Sequence, residues 1–475
     1  MHSAKCRLAI CLAFVGGCAP SKDVAAPNAV SSGTSRTAHS EVANAPSLEP
    51  SPSRVTRTLL VRSAVESAPG MESRIYLTTF PPGAASPPHV HTTQAMGYVL
   101  EGTFESSFDD GPVTTTHAGE AFVDVPGKIH HFKNADSNRP LRFIYSGIFP
   151  KAAPIFRSPD AVVRFGGGEP TYTIHKPALY PETIDYDAMH RVFLVGSFRD
   201  GAIYRIDSEG RAEPFADDRG LASTLGIAVD TAHGRLWAVS ADVGAGVRHS
   251  AAGARKSADV VVYDLATGAT VLHVDLAGLV SGPHLLNGIA VDPSGRAYVT
   301  DSLSAVIYRV TADGEASVFS RDGRFAGPGI GLNGIVVHPG GFLLVVKKSD
   351  GSLFKVPLAA PSQVSQVKVD YEFVGGDGLT LAGANDLVVI ANSTQTAKTN
   401  AAFAIATDDD WATAKVYDVL PLGNDYPTTA VVRDGKIFVV STRLDALLQA
   451  AASGGAQADT LRAEATIRPI GSVVR

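Results

Sequence analysis

LNGIAVD from Leu286 and LNGIVVH from Leu332 are nearly the same short strand written twice. Four further segments start in the same register: PETIDYD from Pro181, TLGIAVD from Thr224, GDGLTLA from Gly376 and PTTAVVR from Pro427. The second residue of each is Glu182, Leu225, Asn287, Asn333, Asp377 or Thr428, at spacings of 43, 62, 46, 44 and 51 residues. A recurrence of this length built from short strands marks a β-propeller, in which each blade sets its first strand against a central channel. Residues far apart in sequence then meet at the axis. Two carboxylates and two amide carbonyls, from Glu182, Asp377, Asn287 and Asn333, make a site for a hard divalent cation such as calcium.

Each repeat continues with a second strand, such as RVFLVGSF from Arg191 or FLLVVKKS from Phe342, and several with a third, closed by Asp-Gly or Glu-Gly turns. The predicted unit is a six-bladed propeller over 171–447, with a C-terminal tail, 448–475, that closes or packs on it. The longest spacing falls in blade two. Its insertion, Val243 to Ala258, carries Arg248, His249, Arg255 and Lys256 and lies over the mouth of the channel, as a lid or as a plain surface insertion. Asp301, Lys347 and Arg443 end second strands at that mouth and are candidate substrate contacts. His284, just before the Asn287 strand, is either a proton relay or a loop histidine. A cation at the axis would polarise a carbonyl or phosphoryl oxygen, with Asp377, then Glu182, as candidate catalytic base. There is no nucleophile elbow for serine chemistry.

Upstream, residues 59–150 read as short alternating strands with Gly and Pro turns, a small all-β barrel. His89 and His91 share a strand face at i and i+2, and His130 follows in Gly119-Glu-Ala-Phe-Val-Asp-Val-Pro126-Gly127-Lys-Ile-His130-His131. Three imidazoles at one point suit zinc, iron, manganese or copper. Consecutive His130 and His131 cannot both face inward, and His130 is the choice. A 151–170 linker joins this barrel to the propeller.

Two resemblances follow from these residues. The stretches Gly83 to Gly102 and Gly119 to Asn134 resemble the two signature motifs of the cupin superfamily, which places His89, His91 and His130 on its metal-ligand positions. The family's usual glutamate falls on Ala95, and the neighbouring Gln94 could supply an amide oxygen instead. A cupin that only stabilises or dimerises is the structural alternative. The ordered set Glu182, Asn287, Asn333 and Asp377 resembles the SMP-30/gluconolactonase/luciferin-regenerating propellers. That implies a cation, often calcium, activating a lactone or phosphoester, although Leu225 puts an apolar side chain on the axis in blade two. The expected fold is all-β, a cupin jelly-roll barrel followed by a six-bladed β-propeller. The expected function is a calcium-type hydrolase of a lactone or related ester with an additional cupin site. The alternative is a non-catalytic small-molecule- or sugar-binding lipoprotein.

The N-terminus speaks to location. All three cysteines, Cys6, Cys11 and Cys18, lie in the first 18 residues, so no disulfide holds the folded part. Lys5 and Arg7 precede an apolar run, and Val15-Gly16-Gly17-Cys18 resembles a bacterial lipobox. The resemblance implies a 1–17 signal peptide, lipid on Cys18, and export to a membrane surface, with the outer membrane favoured by Ala19. Residues 18–58 are rich in Ser, Ala, Pro and Thr and are expected as a disordered tether. The formal net charge of −6 argues against nucleic acid as a partner. The expected partners are a small molecule, a membrane through the lipid only, and a second copy through the cupin.

Overall fold

Alternation builds the first unit. In Ala95–Glu101 every second side chain is buried, and in Ile129–Asn134 His130, Phe132 and Asn134 turn inward while His131 faces solvent. The computed structural model describes residues 41–42, 53–166, 170–217, 221–250, 252–453 and 461–474. Cys18 and the expected signal peptide lie outside them. Two antiparallel sheets face each other across Phe80, Val99, Phe104, Phe132 and Phe143. One has six strands, centred on Met71–Phe80 and Leu141–Pro150. The other has five, centred on His89–His91 and Ile129–Asn134. Glu41–Val42, inside the stretch expected as a tether, pairs with Val61 and Arg62 at the edge of the six-stranded sheet. This is the cupin jelly roll.

The second unit is a six-bladed propeller. Blades one to five each hold four antiparallel strands in sequence order, beginning at Pro181, Thr224, Leu286, Leu332 and Gly376. Their first strands touch in succession, and the first strand of blade six touches that of blade one, which closes the ring. Blade six draws on both ends of the propeller segment. Pro427–Arg433 and Lys436–Ser441 are followed by Ala465–Val473, and outside that lie Val163–Phe165 and Tyr172–Ile174. The segments expected as linker and tail therefore both supply strands to this blade. Gly471 permits the closure, since a Cβ there would meet the Arg164 carbonyl oxygen at 2.3 Å.

One irregularity recurs in all six blades. Pairing of the first strand with the second shifts register between Pro181 and Thr183, Thr224 and Gly226, Leu286 and Ile289, Leu332 and Ile335, Gly376 and Leu379, and Pro427 and Ala430. A bulge re-aims the side chain it carries, and each of these holds the register residue of its blade. Glycine follows it in four blades. A Cβ on Gly226, Gly288 or Gly334 would lie 2.3, 2.5 or 2.1 Å from the carbonyl oxygen of Asn287, Asn333 or Asp377 on the next blade. Thr183 and Thr429 occupy this place in blades one and six, and their hydroxyls bridge to the neighbouring inner strand instead.

Candidate functional site

The bulges bring Glu182, Asn287, Asn333 and Asp377 to one place. All four line a cavity of about 190 Å³ at the channel mouth, and the same four also line a channel of about 320 Å³ beyond it. The mouth cavity is otherwise largely apolar, with Phe198, Leu225, Leu285, Leu303 and Ile330 in its wall. The insertion in blade two contributes Val243 and the exposed Arg255. The helix Leu444–Ala452, between the second and third strands of blade six, contributes Leu444 and Leu448.

The sequence did not single out Lys348, which lies in this cavity. Its ammonium donates to Asp377 Oδ2 at 2.7 Å and to Asn392 Oδ1 at 2.5 Å. The Asn392 amide in turn donates to Asp377 Oδ2 and, at 3.0 Å, to the Pro427 carbonyl. Burial works against the Lys348 charge, but Asp377, Tyr426 and Glu182 outweigh it and hold the ammonium above its usual pKa. Glu182 is treated differently. Its Oε2 is buried without a hydrogen-bond partner. Desolvation and the Asp377 charge raise its pKa well above the usual value, against the pull of Lys348. With Asp377 bonded to an ammonium, Glu182 is the one carboxylate left to a divalent cation, which takes about six to eight oxygens and favours charged ones, so this donor set as arranged does not fit one.

The other candidates lie off the cavity. His284 is held between Asp301 Oδ2 at 2.7 Å and the Val280 carbonyl at 3.0 Å. Asp301 Oδ1 accepts the backbone N–H groups of Leu285, Leu303 and Ser304, so the pair anchors a turn. The Lys347 ammonium donates to the carbonyls of Arg324 and Ala326. Arg443 lies 3.0 Å from Asp445 at the start of the helix and is exposed. Each has local partners, and none lines the axial cavity.

In the cupin, strand pairing sets His89 directly opposite His130. One ring nitrogen from each of His89, His91 and His130 lies within 4.8 Å of the others, and all three side chains are buried. Their outer nitrogens are engaged in ways that fix the rings. His89 Nδ1–H donates to the Pro87 carbonyl at 2.8 Å. His91 Nδ1 lies 2.9 Å from the Tyr145 hydroxyl, and His130 Nε2 lies 2.8 Å from Ser106 Oγ. Desolvation, with the other imidazoles, lowers His91 to about 2 and His130 to about 3. The rings are therefore neutral near pH 7. The inner nitrogens of His91 and His130 lie 2.9 Å apart and share a hydrogen bond, whose proton a metal would displace on binding. Gln94 points to solvent and is not among them.

A carboxylate does reach the triad, from an unexpected position. Asp124 is 2 % exposed and lies 3.4 Å from His91 Nε2 and 3.8 Å from His130 Nδ1. Its backbone N–H donates to the carbonyl of Ala95, so it stands beside the residue where the cupin glutamate is missing. Burial raises its pKa to about 7, although a hydrogen bond from Tyr145 opposes the rise. Three neutral imidazoles and one carboxylate fit a transition metal. The adjoining cavity, of about 160 Å³, is walled by Phe80, Phe122, Phe132, Phe143 and Phe156 and carries one cation, Arg57.

A family match and one solved structure agree with this architecture. The cupin domain family matches residues 76–147. Among solved structures, the major allergen Mala s 1 of Malassezia sympodialis shares 19 % identity over 64 % of this chain and 96 % of its own, at a TM-score of 0.51. A luciferin-regenerating enzyme shares 13 % over 64 % and 99 %, at 0.44. A protein with a double-stranded β-helix domain from Klebsiella pneumoniae shares 24 % over 22 % and 82 %, at 0.18. The allergen's likeness is one of fold alone. No curated protein matches.

Proposed function

We propose that the propeller axis hydrolyses a lactone or related ester, and that the cupin is a separate transition-metal centre on the same chain. The observation that carries the first part is Glu182 Oε2, a buried carboxylate oxygen with no hydrogen-bond partner. An unpaired acid in an apolar cavity costs stability, and a raised pKa suits a general base. In the proposed step Glu182 removes a proton from water. The water oxygen bonds to the carbonyl carbon, and the carbonyl electron pair moves onto its oxygen. That pair then returns, the bond to the ring or leaving oxygen breaks, and the departing alkoxide takes the proton from Glu182. The products are an acid and an alcohol, in one molecule if the substrate is a lactone. The amides of Asn287 and Asn333, which line the same cavity, would orient the ester. Calcium, implied by the resemblance to gluconolactonases, is not required.

In the cupin, His89, His91, His130 and Asp124 would hold the metal. Bound there, it would supply Lewis acidity or, if iron, manganese or copper, redox chemistry. Tyr145 would fix the His91 ring and the Asp124 carboxylate, and Arg57 would attract an anionic group on a small, mostly apolar molecule. A screen of lactones and aryl esters with the full chain and with Glu182→Gln tests the hydrolase reading. A loss of about 10²-fold or more is expected for the variant. No turnover of any ester by the wild type would leave a binding protein as the better reading. Metal analysis of the full chain should give about one equivalent, lost in the His89→Ala/His91→Ala variant.

A further inference from the structure

We propose that Lys348 takes the place of a divalent cation at the propeller axis, so that the positive charge of this centre is built into the chain. The inference deepens the hydrolase reading and rests on it only for the catalytic role. Three observations support it. First, the ammonium sits 2.7 Å from Asp377 Oδ2 in a side chain that is 14 % exposed, facing a carboxylate that is 4 % exposed. This is a mostly desolvated ion pair, and such a pair holds only when further hydrogen bonds complete it. Second, Asn392 completes it. Its carbonyl oxygen accepts from Lys348, its amide donates to Asp377, and the Pro427 carbonyl fixes the amide's orientation. Third, the charges close without a metal. Lys348 offsets Asp377, and Glu182 remains as the one acid of the cavity without a hydrogen-bonded cation. A divalent cation ligated by Asp377 would lie within about 5 Å of the ammonium, where like charges repel strongly in a desolvated site.

The unsatisfied groups say what the site would take. The ammonium has three N–H donors and uses two in hydrogen bonds, while its nitrogen lies 5.9 Å from the centre of the Tyr426 ring. Glu182 lines the same cavity, and its Oε2 has no donor. One free donor and one free acceptor among apolar walls match an ester carbonyl oxygen and an attacking water. Lys348 would then stabilise the charge that grows on the carbonyl oxygen as the water oxygen bonds to carbon, the task a calcium ion would otherwise perform. Lysine suits it as a compact point charge on a long stem.

The test is calcium itself, titrated by calorimetry into the full chain after dialysis against EDTA. The wild type should bind none at the axis with calcium at about 1 mM. Lys348→Met, which frees Asp377, should bind one equivalent with a Kd of about 10⁻⁵–10⁻³ M. Lys348→Gln, which keeps a donor but no charge, serves if the methionine variant does not fold. One equivalent bound by the wild type, or none by any folded variant, overturns the proposal. These outcomes need no substrate, so they stand apart from any failure of the hydrolase reading. Where an ester is turned over, wild-type hydrolysis should be unaffected by EDTA. Lys348→Met should lose about 10²-fold or more in kcat, and undiminished hydrolysis by that variant would equally overturn the proposal.

Discussion

A buried acid reports on its surroundings through its proton. Desolvation and the Asp377 charge raise Glu182 well above the usual glutamate range, so the folded chain holds this proton more tightly than the unfolded chain. The resulting stability is present below the ordinary glutamate value and is lost as pH rises through the raised one. Glu182→Gln is neutral at every pH. It should leave Tm unchanged near about pH 4 and raise it by about 2 °C or more near about pH 8, measured by scanning calorimetry. Asp124 invites a different measurement. Asp124→Asn keeps the shape beside His91 and His130 but removes the charge, and metal affinity should fall about 10–100-fold in a chelator competition. Neither Asp124 nor Lys348 was legible in the sequence. Asp124 is embedded in Glu120-Ala-Phe-Val-Asp-Val-Pro126, where nothing distinguishes it from a solvent-facing strand residue. Lys347 and Lys348 are consecutive at the end of a strand. There the chain turns, and Lys348 rather than Lys347 reaches the axis.

The inner strands were the most legible elements, because one register position recurs six times and the second strands after them are continuous apolar runs. Their glycines carried a double meaning. Asn-Gly and Asp-Gly pairs usually signal turns, yet Asn287-Gly288, Asn333-Gly334 and Asp377-Gly378 lie inside strands. They are needed there because the next blade's backbone comes too close for a side chain. Gly334→Ala would set a methyl 2.1 Å from the Asp377 carbonyl oxygen, so it should destabilise the fold by about 3 kcal/mol or more and disturb the axial cavity. Gly278→Ala, at a position with nothing within 4 Å, should stay within about 0.5 kcal/mol in the same denaturant titration. The helix Leu444–Ala452 was missed. At nine residues it is too short to establish a period of 3.6 against a strand-dominated background. It nonetheless covers the mouth, alongside Val243 and Arg255 from the insertion in blade two.

At the scale of the whole molecule the two units meet through a few specific contacts. Ala153, just past the last long cupin strand, packs in the core of blades four and five, while its carbonyl accepts from Arg74 of the cupin. Arg157 lies 3.4 Å from Asp418 on the propeller. Arg157→Ala would leave the buried Asp418 carboxylate without this partner and should lower stability by about 3 kcal/mol, seen as a lower denaturant midpoint. Ending the chain at residue 460 would remove Ala465–Val473 and leave Val163–Phe165 and Tyr172–Ile174 without their pairing strand. Faster proteolysis of 160–175 than in the full chain is the expected readout. The same arrangement sets a timetable for synthesis. The strands near residue 165 leave the ribosome early, and their partner emerges about 300 residues later, roughly 15–60 s at ordinary elongation rates. Through that interval the growing protein carries an unpaired β-edge that its own sequence cannot yet cover, the kind of edge that recruits wrong partners. The first propeller strands to be made are thus the last to be paired, and a chaperone holding that edge would matter more to the yield of this protein than to its final stability.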